Sequence, residues 1–382
     1  MTAPLRILHF HSTFAPGGKE LRAARLMNAW GPHATHTIVS AMPGEFGAQA
    51  AVNARIKLDF PLDTPPLTGK PTLARYEALA RFMIGHDLVL TYNWGAMDAV
   101  LARRIHGKDC PSLVHHEDGF NEDEAGGLKR ERGWFRRLAL PGAYALVVPS
   151  ASLEKIARRT WKQPAARVRR IVNGIPVARF AAKPKRGALP GFAPAKNELV
   201  VGTIAGLRRV KNIPRLVTAF APLAGKARLA IVGEGPERPA IVGMAVHLGI
   251  RPRVHMAGFV ADPATYVGLF DIFALSSDSE QAPISVLEAM AAGVPVAAPA
   301  VGDIADMVSA ENRPFIVDPA DEAALGRALE ALAADAALRA RIGTANRARA
   351  AADFDDKAMI AAYASLYSEA AGRPGVLLPD HA

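Results

Sequence analysis

The sequence has little cysteine and no long uninterrupted hydrophobic run. Cys110 is the single cysteine among 382 residues, which excludes an internal disulfide framework and suits a reducing compartment. The most apolar stretch, residues 286–302, contains Glu288 and two prolines, so a membrane-spanning helix is not expected there. The chain runs from Met1 straight into a strand-like segment, and we expect no signal peptide. Together these absences favour a cytoplasmic protein.

Several ligand-binding signatures are also missing. The chain contains neither G-x-G-x-x-G nor a P-loop, and no recognised nucleic-acid-binding motif. Its one D-x-D, Asp353 to Asp355, lies in a helical tail and not after a strand. The sequence therefore predicts no metal, no cofactor and no nucleic-acid partner.

Positive charge is concentrated in residues 127–170. This segment holds twelve lysines and arginines against two glutamates, and its net +10 equals that of the whole chain. Within it, LKRERGWFRRLAL mixes cations with aromatic and leucine side chains, as a helix at a membrane interface does. An anionic membrane surface on the inner face of the cytoplasmic membrane and a solvated helix face both explain the pattern.

Short apolar runs alternate with helix-like segments along the chain, which predicts parallel sheets covered on both faces. The ten predicted strands are residues 5–11, 36–41, 87–93, 112–117, 144–150, 199–207, 227–233, 253–259, 271–277 and 293–299. We predict an α/β protein with two doubly wound Rossmann-like domains facing a central cleft. The predicted domains are 1–180 and 199–352, with a linker at 181–198 and helices over 353–382 that cross back to the first domain.

Four stretches at predicted strand ends carry candidate chemistry, because ligands of such sheets bind outside the carboxyl ends of the strands. They are FAPGGKE (14–20), GLRRVKN (206–212), IVGEGPER (231–238) and SDSEQAPISVLEAM (277–290). Gly17 and Gly18 allow close approach to a ligand before a helix N-terminus. Arg208, Arg209 and Lys211 could neutralise a diphosphate. Ordinary turns and surface cations would explain the first three stretches equally well.

The last stretch predicts a strand-end loop followed by a helix in whose first turn Pro283 fits. Glu280 then lies in the loop, and Glu288 lies about a turn and a half into the helix. The N–H groups of Ile284 and Ser285 would face a phosphate at the helix start. A capping role for Glu280 and a surface position for Glu288 remain the alternatives.

In this order along nearly the whole chain, the motifs resemble retaining glycosyltransferases of the GT4 family, with the GT-B fold. The resemblance includes GGKE, VVPS (147–150), VNGI (172–175), LRRVKN, IVGEGPER, and Glu280 and Glu288 followed by AMAAGVPV. It implies a metal-independent enzyme that transfers a sugar from a UDP- or GDP-linked donor to a saccharide or lipid-linked acceptor, in polysaccharide or glycolipid biosynthesis.

The resemblance also implies residue roles. Lys211 would contact the donor phosphates, Glu288 the ribose, and Glu280 the transferred sugar. The amides of Ile284 and Ser285 would contact the distal phosphate, and Gly18, beside Gly17, would allow the N-terminal domain to close over it.

Three positions depart from the family pattern. Gly206 stands where many relatives carry an arginine, which Arg208 or Arg209 could replace. Gln281-Ala282-Pro283 stands where relatives often have Gly-Phe-Gly, so the sugar side of the site is expected to differ. In VHHEDGF, Asp118 occupies the usual histidine position and His116 lies two residues earlier, so either residue could contact a sugar.

Other interpretations stay open. His115, His116, Glu117 and Asp118 have metal-binding atoms, but neighbouring strand residues point to opposite faces, which disfavours one shared site. A GT-B nucleotide-sugar epimerase or a non-catalytic nucleotide-sugar-binding protein would share the fold. Tyr363 and Tyr367, four residues apart in a predicted helix, are expected to pack and not to react.

Overall fold

The computed structural model describes residues 3–42, 44–107, 109–120, 122–124, 127–185, 187–195 and 197–378. They divide into two compact units. The first unit lies within Met1–Val172 and Ala358–Ala382, and the second is Asn173–Lys357. Each unit is built around one sheet in which every strand pair is parallel.

The sheet of the first unit has seven strands in the order β3-β2-β1-β4-β5-β6-β7. Its strands are β1 Leu5–His11, β2 Ala34–Ser40, β3 Leu58–Asp59, β4 Leu88–Tyr92, β5 Ser112–His116, β6 Ala145–Val148 and β7 Val168–Arg170. Strand order reverses at β1, so β1 and β4 end side by side at the middle of the carboxyl edge.

The sheet of the second unit has six strands in the order β10-β9-β8-β11-β12-β13. They are β8 Leu199–Ile204, β9 Ala227–Val232, β10 Val254–Gly258, β11 Ile272–Ala274, β12 Val296–Pro299 and β13 Ile316–Val317. Here the order reverses at β8, which lies beside β11. A parallel sheet with such a reversal places its binding crevice at these two strand ends.

Thirteen α-helices are seen in the described residues. Those of the first half are α1 Gly18–Trp30, α2 Leu73–Met83, α3 Met97–Ile105, α4 Arg130–Ala139, α5 Ala151–Arg159 and α6 Val177–Phe180. Those of the second half are α7 Ile213–Phe220, α8 Arg238–His247, α9 Ile284–Ala291, α10 Ile304–Met307, α11 Ala324–Ala334, α12 Ala336–Asp353 and α13 Asp356–Ala370.

All ten predicted strands are present, because strands buried on both faces carry continuous apolar runs. In the first sheet, Leu8 and Phe10 belong to one hydrophobic cluster, while Leu5 and Ile7 belong to the other. The three strands that the sequence did not predict, β3, β7 and β13, lie at sheet edges and have two or three residues. With two or three residues each, they are too short to produce an apolar run.

Helix α13 completes the core of the first unit, as predicted for the C-terminal helices. Its Met359, Tyr363 and Tyr367 are at most 3% exposed and pack among residues of β1, β2 and β4. The parallel α/β character of the fold and the return of the chain end to the first unit are thereby confirmed.

The segment 181–198, predicted as a linker, contributes to the core of the second unit. Leu189 and Phe192 are buried there with Val200 and Tyr266, while Arg186 and Lys196 lie outside the described residues. The predicted boundaries at 180 and 352 remain predictions.

Candidate active site

In the second unit, Lys211 and Glu280 meet at the ends of β8 and β11. The Lys211 ammonium donates a hydrogen bond of 2.5 Å to Glu280 Oε1, and Ser277 Oγ donates to the same oxygen at 2.7 Å. The two side chains are 17% and 10% exposed. Two residues singled out from separate motifs therefore form one charged pair that still reaches solvent.

Main-chain and side-chain hydrogen bonds join the two loops that carry this pair. The amide of Asp278 donates to the carbonyl of Val210 at 2.9 Å, and Ser276 Oγ donates to the Lys211 carbonyl at 3.0 Å. Asn212, in a left-handed conformation with φ of 44°, donates from Nδ2 to Asp278 at 3.0 Å. These main-chain and side-chain hydrogen bonds together fix the position of the Lys211 loop relative to the Glu280 loop.

The glycine-rich turn after β9 packs directly on the loop after β8. Gly233 has a φ of +135°, and a Cβ there would overlap the Ala205 carbonyl. Gly235 has a φ of +156°, and a Cβ there would overlap Leu207. These glycines are needed for close approach of two backbones, which is the structural reason for the VGEG sequence.

Helix α9 starts beside Glu280, and Glu288 is buried within it. Pro283 is the N-cap, with φ −66° and ψ 123°, one position earlier than the first-turn position predicted for it. Ile284 and Ser285 are the first helical residues, whose N–H groups have no acceptor within the helix. Glu288 is 9% exposed, so the alternative of a surface residue is wrong.

The unusual Gln281-Ala282-Pro283 segment is held from two sides. Asn173 Nδ2 donates to the Ala282 carbonyl at 2.9 Å, and the Asp303 amide donates to the Gln281 carbonyl at 2.8 Å. Gly302, with a φ of +60°, approaches so closely that a Cβ would lie 2.5 Å from the Gln281 carbonyl oxygen. Neither support was predicted, although Asn173 belongs to the VNGI motif and Gly302 to a turn after β12.

Arg208 and Arg209 lie in the same turn as Lys211 and are exposed. Within the described part of the chain, their side chains make no hydrogen bond or ion pair. Gly206 is exposed as well. The structure therefore assigns neither arginine to the missing arginine position.

In the first unit, Gly17 and Gly18 form the start of α1. Gly17 is the N-cap in extended conformation, with φ −151° and ψ 169°, and Gly18 is the first helical residue. A Cβ on Gly17 would lie 2.7 Å from Glu20 Oε2, and Glu20 is buried and ion-paired with Lys19. The contact that a Cβ on Gly17 would make is with a side chain of the same turn, and the role of Gly17 and Gly18 in the approach of a ligand stays a prediction.

Asp118 lies just beyond the end of β5 and is bound by Arg22 of α1. Arg22 Nη1 donates to Asp118 Oδ1 at 2.5 Å, and Nη2 donates to Oδ2 at 2.9 Å. Burial alone would raise the pKa of Asp118, but the Arg22 guanidinium holds it below the ordinary value of an aspartate. The residue in the usual histidine position is thus an ionised carboxylate.

His116 points into the core beneath Asp118. Its Nδ1 lies 3.0 Å from the Thr91 carbonyl oxygen and must be the donor there, so Nε2 accepts from the Tyr367 hydroxyl at 2.6 Å. Burial, reinforced by Arg22, lowers the pKa of His116 to about 3. With both nitrogens engaged and 1% exposure, His116 would have to exchange a partner to contact a ligand.

His115 and Glu117 face the opposite side of β5. Arg136 Nε donates to Glu117 Oε1 at 2.6 Å, and Thr91 Oγ1 lies 2.8 Å from His115 Nδ1. Burial alone would raise the pKa of Glu117, but Arg136 and His115 hold it below the ordinary value. The residues of HHED thus divide between two faces, and the described residues contain no group of three or more metal-ligating side chains able to hold an ion.

Solved structures with the same architecture identify the class of fold. A sucrose-phosphate synthase from Thermosynechococcus elongatus superposes with a TM-score of 0.76 at 23% identity, over 95% of this chain and 98% of that one. HepE of Anabaena, in complex with UDP and glucose, gives a TM-score of 0.78 at 20% identity, over 96% and 100%. These likenesses show that the chain has the GT-B fold.

Sequence comparisons then give the family. Residues 16–179 match the model of Glycosyltransferase Family 4, and residues 190–349 match that of glycosyl transferases group 1. The chain belongs to the GT4-type glycosyltransferases, as the motifs predicted.

Curated relatives match over part of their length. N-acetyl-alpha-D-glucosaminyl L-malate synthase of Bacillus anthracis is 27% identical over 45% of this chain and 46% of its own. The lipopolysaccharide core biosynthesis glycosyltransferase LpsE of Rhizobium meliloti is 32% identical over 41% and 46%. A GDP-mannose-dependent alpha-mannosyltransferase of Mycobacterium tuberculosis is 30% identical over 46% and 44%. The chain spans about half the length of these relatives.

Proposed function

We propose that the protein is a retaining, metal-independent glycosyltransferase that moves a sugar from a UDP- or GDP-linked donor to a saccharide or lipid-linked acceptor. Polysaccharide or glycolipid biosynthesis is the expected setting. The observation that carries the proposal is the Lys211–Glu280 pair beside the start of α9, with Glu288 buried in the same helix. HepE binds UDP and glucose, and the mycobacterial relative is named for GDP-mannose, which supports a nucleotide-sugar donor.

Lys211 is the residue suited to the leaving diphosphate. An ammonium group has three N–H donors, and Glu280 accepts one of them. The other two are then available to phosphate oxygens, whose negative charge grows as the sugar departs. The amides of Ile284 and Ser285 at the positive end of α9 would stabilise the distal phosphate in the same way.

Glu280 is placed to orient the transferred sugar. Its Oε1 is held by Lys211 and Ser277, which leaves Oε2 able to accept a hydrogen bond from a sugar hydroxyl. Glu288, the fifth residue of α9, would accept from the ribose hydroxyls.

The reaction is proposed as a front-side displacement. The bond from the anomeric carbon to the phosphate oxygen breaks, and a bond to the acceptor oxygen forms on the same face. The acceptor proton passes to the departing phosphate, so the nucleoside diphosphate leaves with it. Catalysis would rest on cations and dipoles placed where the leaving-group charge develops.

A thermal-shift panel tests the donor site. UDP, GDP, ADP and their sugars are added to the wild type and to Glu288→Ala. A nucleotide present at about 100 times its Kd should stabilise the wild type by about 2.7 kcal/mol, and Glu288→Ala should lose most of that gain. Failure of every nucleotide to shift the wild type would contradict the donor site, and sugar conversion without an acceptor would indicate an epimerase.

We also propose that the exposed side of α4 contacts an anionic membrane surface, which would place the protein on the inner face of the cytoplasmic membrane. Trp134 and Leu138 are 65% and 51% exposed and lie one turn apart. The Arg137 guanidinium lies 4.7 Å from the Trp134 ring centre. Across the described residues, no helix is both long and apolar enough to cross a bilayer, so contact would be peripheral.

The structure reduces the charge available to that surface. Arg136 is buried with Glu117, and Lys129 and Arg132 pair with Asp123. Glu124 pairs with Arg132 as well. When these three carboxylates from outside residues 127–170 are counted with the segment, its net charge falls from +10 to +7.

Vesicle flotation tests the membrane proposal. The wild type is expected to float with phosphatidylglycerol vesicles at low salt and far less with phosphatidylcholine vesicles, since lipid charge supplies part of the attraction. The double variant Trp134→Ser, Leu138→Ser should remain in the soluble fraction. Leu73→Ser, at another exposed leucine, is the control and should float normally. Wild-type protein that stays soluble with anionic vesicles would contradict the proposal.

A further inference from the structure

The orientation of Asp118 is set by a buried arginine. Arg22 donates a hydrogen bond to each carboxylate oxygen of Asp118, at 2.5 and 2.9 Å. The Arg22 side chain is 3% exposed, and that of Asp118 is 13% exposed. Two parallel hydrogen bonds fix the plane of a carboxylate as well as its distance. The Asp118 amide also donates to Asn93 Oδ1 at 2.7 Å. Both the carboxylate and the main-chain amide of Asp118 are therefore fixed by hydrogen bonds.

Arg22 is in turn supported by the C-terminal helix. Its guanidinium carbon lies 5.5 Å from the centre of the Tyr363 ring, within the range of a cation–π contact. The Tyr363 hydroxyl is buried and has no hydrogen-bond partner among the described residues. The ring of Tyr363, and not its hydroxyl, therefore makes the contact with Arg22.

A second contact from the same helix fixes the end of β5. The Tyr367 hydroxyl donates to His116 Nε2 at 2.6 Å, and His116 Nδ1 donates to the Thr91 carbonyl at 3.0 Å. His116 lies two residues before Asp118. The chain that carries Asp118 is thus tied to β4 on one side and to α13 on the other.

We propose that Arg22 is a positioning residue for Asp118, and that Tyr363 and Tyr367 make α13 part of the same support. A carboxylate has about four lone-pair positions, and Arg22 occupies one on each oxygen. The side chain is still 13% exposed, so the remaining positions would accept from a hydroxyl of a bound sugar. This inference rests on the proposed function.

Arg22 also keeps Asp118 charged. The groups that face Asp118 are Arg22 and Lys19 from α1, His116 from β5, Tyr92 from β4, and Tyr363 and Tyr367 from α13. Burial raises the pKa of each of the three tyrosines, and His116 is neutral above about pH 3. Of these groups, Arg22 makes the dominant charge contact with Asp118, so its loss should make Asp118 easier to protonate.

The pH profile of Arg22→Met distinguishes positioning from simple structural support. Removing an opposite charge at hydrogen-bond distance raises a carboxyl pKa by about one to three units. We expect the acidic limb of kcat/KM to move up by at least one pH unit in Arg22→Met and to return part of the way in Arg22→Lys. A uniform loss of kcat/KM at every pH, without movement of the limb, would overturn the inference.

Two tyrosine substitutions test the role of α13. Tyr367→Phe removes the donor to His116 and should lower kcat/KM by roughly 5- to 10-fold, the usual effect of one hydrogen bond, with nucleotide affinity unchanged. Tyr363→Phe keeps the ring beside Arg22 and should have the smaller effect of the two. An equal effect of both substitutions would contradict the assigned contacts.

A measurement that does not depend on enzymatic activity, the titration of Asp118 itself, tests this inference separately from the proposed function. A wild type that transfers no sugar would count against the proposed function alone. The Asp118 carboxyl carbon can then be titrated by NMR in the wild type and in Arg22→Met, with circular dichroism confirming that both are folded. The titration midpoint should rise in Arg22→Met, and an unchanged midpoint would overturn the positioning role.

Discussion

Glu280→Gln is expected to lower kcat by about 100-fold or more while the Kd for the nucleotide changes by less than about threefold. The substitution keeps the size of the side chain but removes the charge that binds the Lys211 ammonium at 2.5 Å. Loss of one hydrogen bond that acts in the transition state typically costs 10²- to 10³-fold in kcat. An effect on kcat without an effect on binding indicates an interaction formed in the transition state.

Steady-state kinetics and calorimetric nucleotide binding measure the two quantities. Glu234→Gln is the matched control, because Glu234 lies at the same carboxyl edge but is 52% exposed and pairs only with Arg238 among the described residues. Its kcat should change by less than about twofold, as is usual for an exposed ion pair. Equal losses of turnover and nucleotide affinity in Glu280→Gln would indicate a structural role.

Acidification is expected to destabilise the first unit strongly between about pH 6.5 and pH 3. His9, His11, His36 and His116 are at most 2% exposed. Burial lowers the pKa of His36 and of His116 to about 3 and lowers those of His9 and His11 well below the ordinary value. Because the unfolded chain binds protons at about pH 6.5 and the folded chain does not, the free energy of unfolding falls as pH falls through this window.

Each buried histidine contributes about 1.4 kcal/mol per pH unit, or about 2 kcal/mol between pH 6.5 and pH 5. Urea unfolding at a series of pH values measures the slope. In His11→Phe the slope should fall by the contribution of one proton. Phenylalanine is a suitable replacement because both His11 nitrogens lack hydrogen-bond partners in the described structure and the His11 ring stacks on Tyr92, with ring centres 4.0 Å apart. A substitution at the exposed His247 is the control for loss of an imidazole. Stability independent of pH over this range would contradict the prediction.

The main features of the fold could be predicted because buried parallel strands are visible as apolar runs. β4 is buried along all five of its residues, whereas β7 has the sequence VRR with two exposed arginines. Such an edge strand forms because its neighbour offers free backbone groups, which depends on the fold and not on local sequence. The burial of Leu189 and Phe192 within 181–198 could not be predicted for a related reason, since the few apolar side chains of this segment show no periodicity yet pack in a core.

In the site, residues next to strand ends could be predicted, and the residues that support them could not. Lys211 and Glu280 follow neighbouring strands, so topology alone brings them together. Arg22 lies inside a helix 96 residues from Asp118, and nothing in its local sequence distinguishes it from a solvated cation. Tyr363 and Tyr367 pack as predicted, but the hydrogen bond from Tyr367 to His116 needed three-dimensional information.

The return of α13 to the first unit also has a consequence for biosynthesis. The second unit is continuous in sequence over Asn173–Lys357, whereas the first needs residues near both ends of the chain. At about 5–20 residues per second, the ribosome needs roughly 10–40 s to make the approximately 200 residues between Val172 and the end of α13. During that time the surface that later receives Tyr363 and Tyr367 stays open, and the second unit can finish folding before the first. We therefore expect a chaperone that acts on the nascent chain to bind the N-terminal half. Once the finished chain is released, α13 can cover that surface, and the chaperone site is lost.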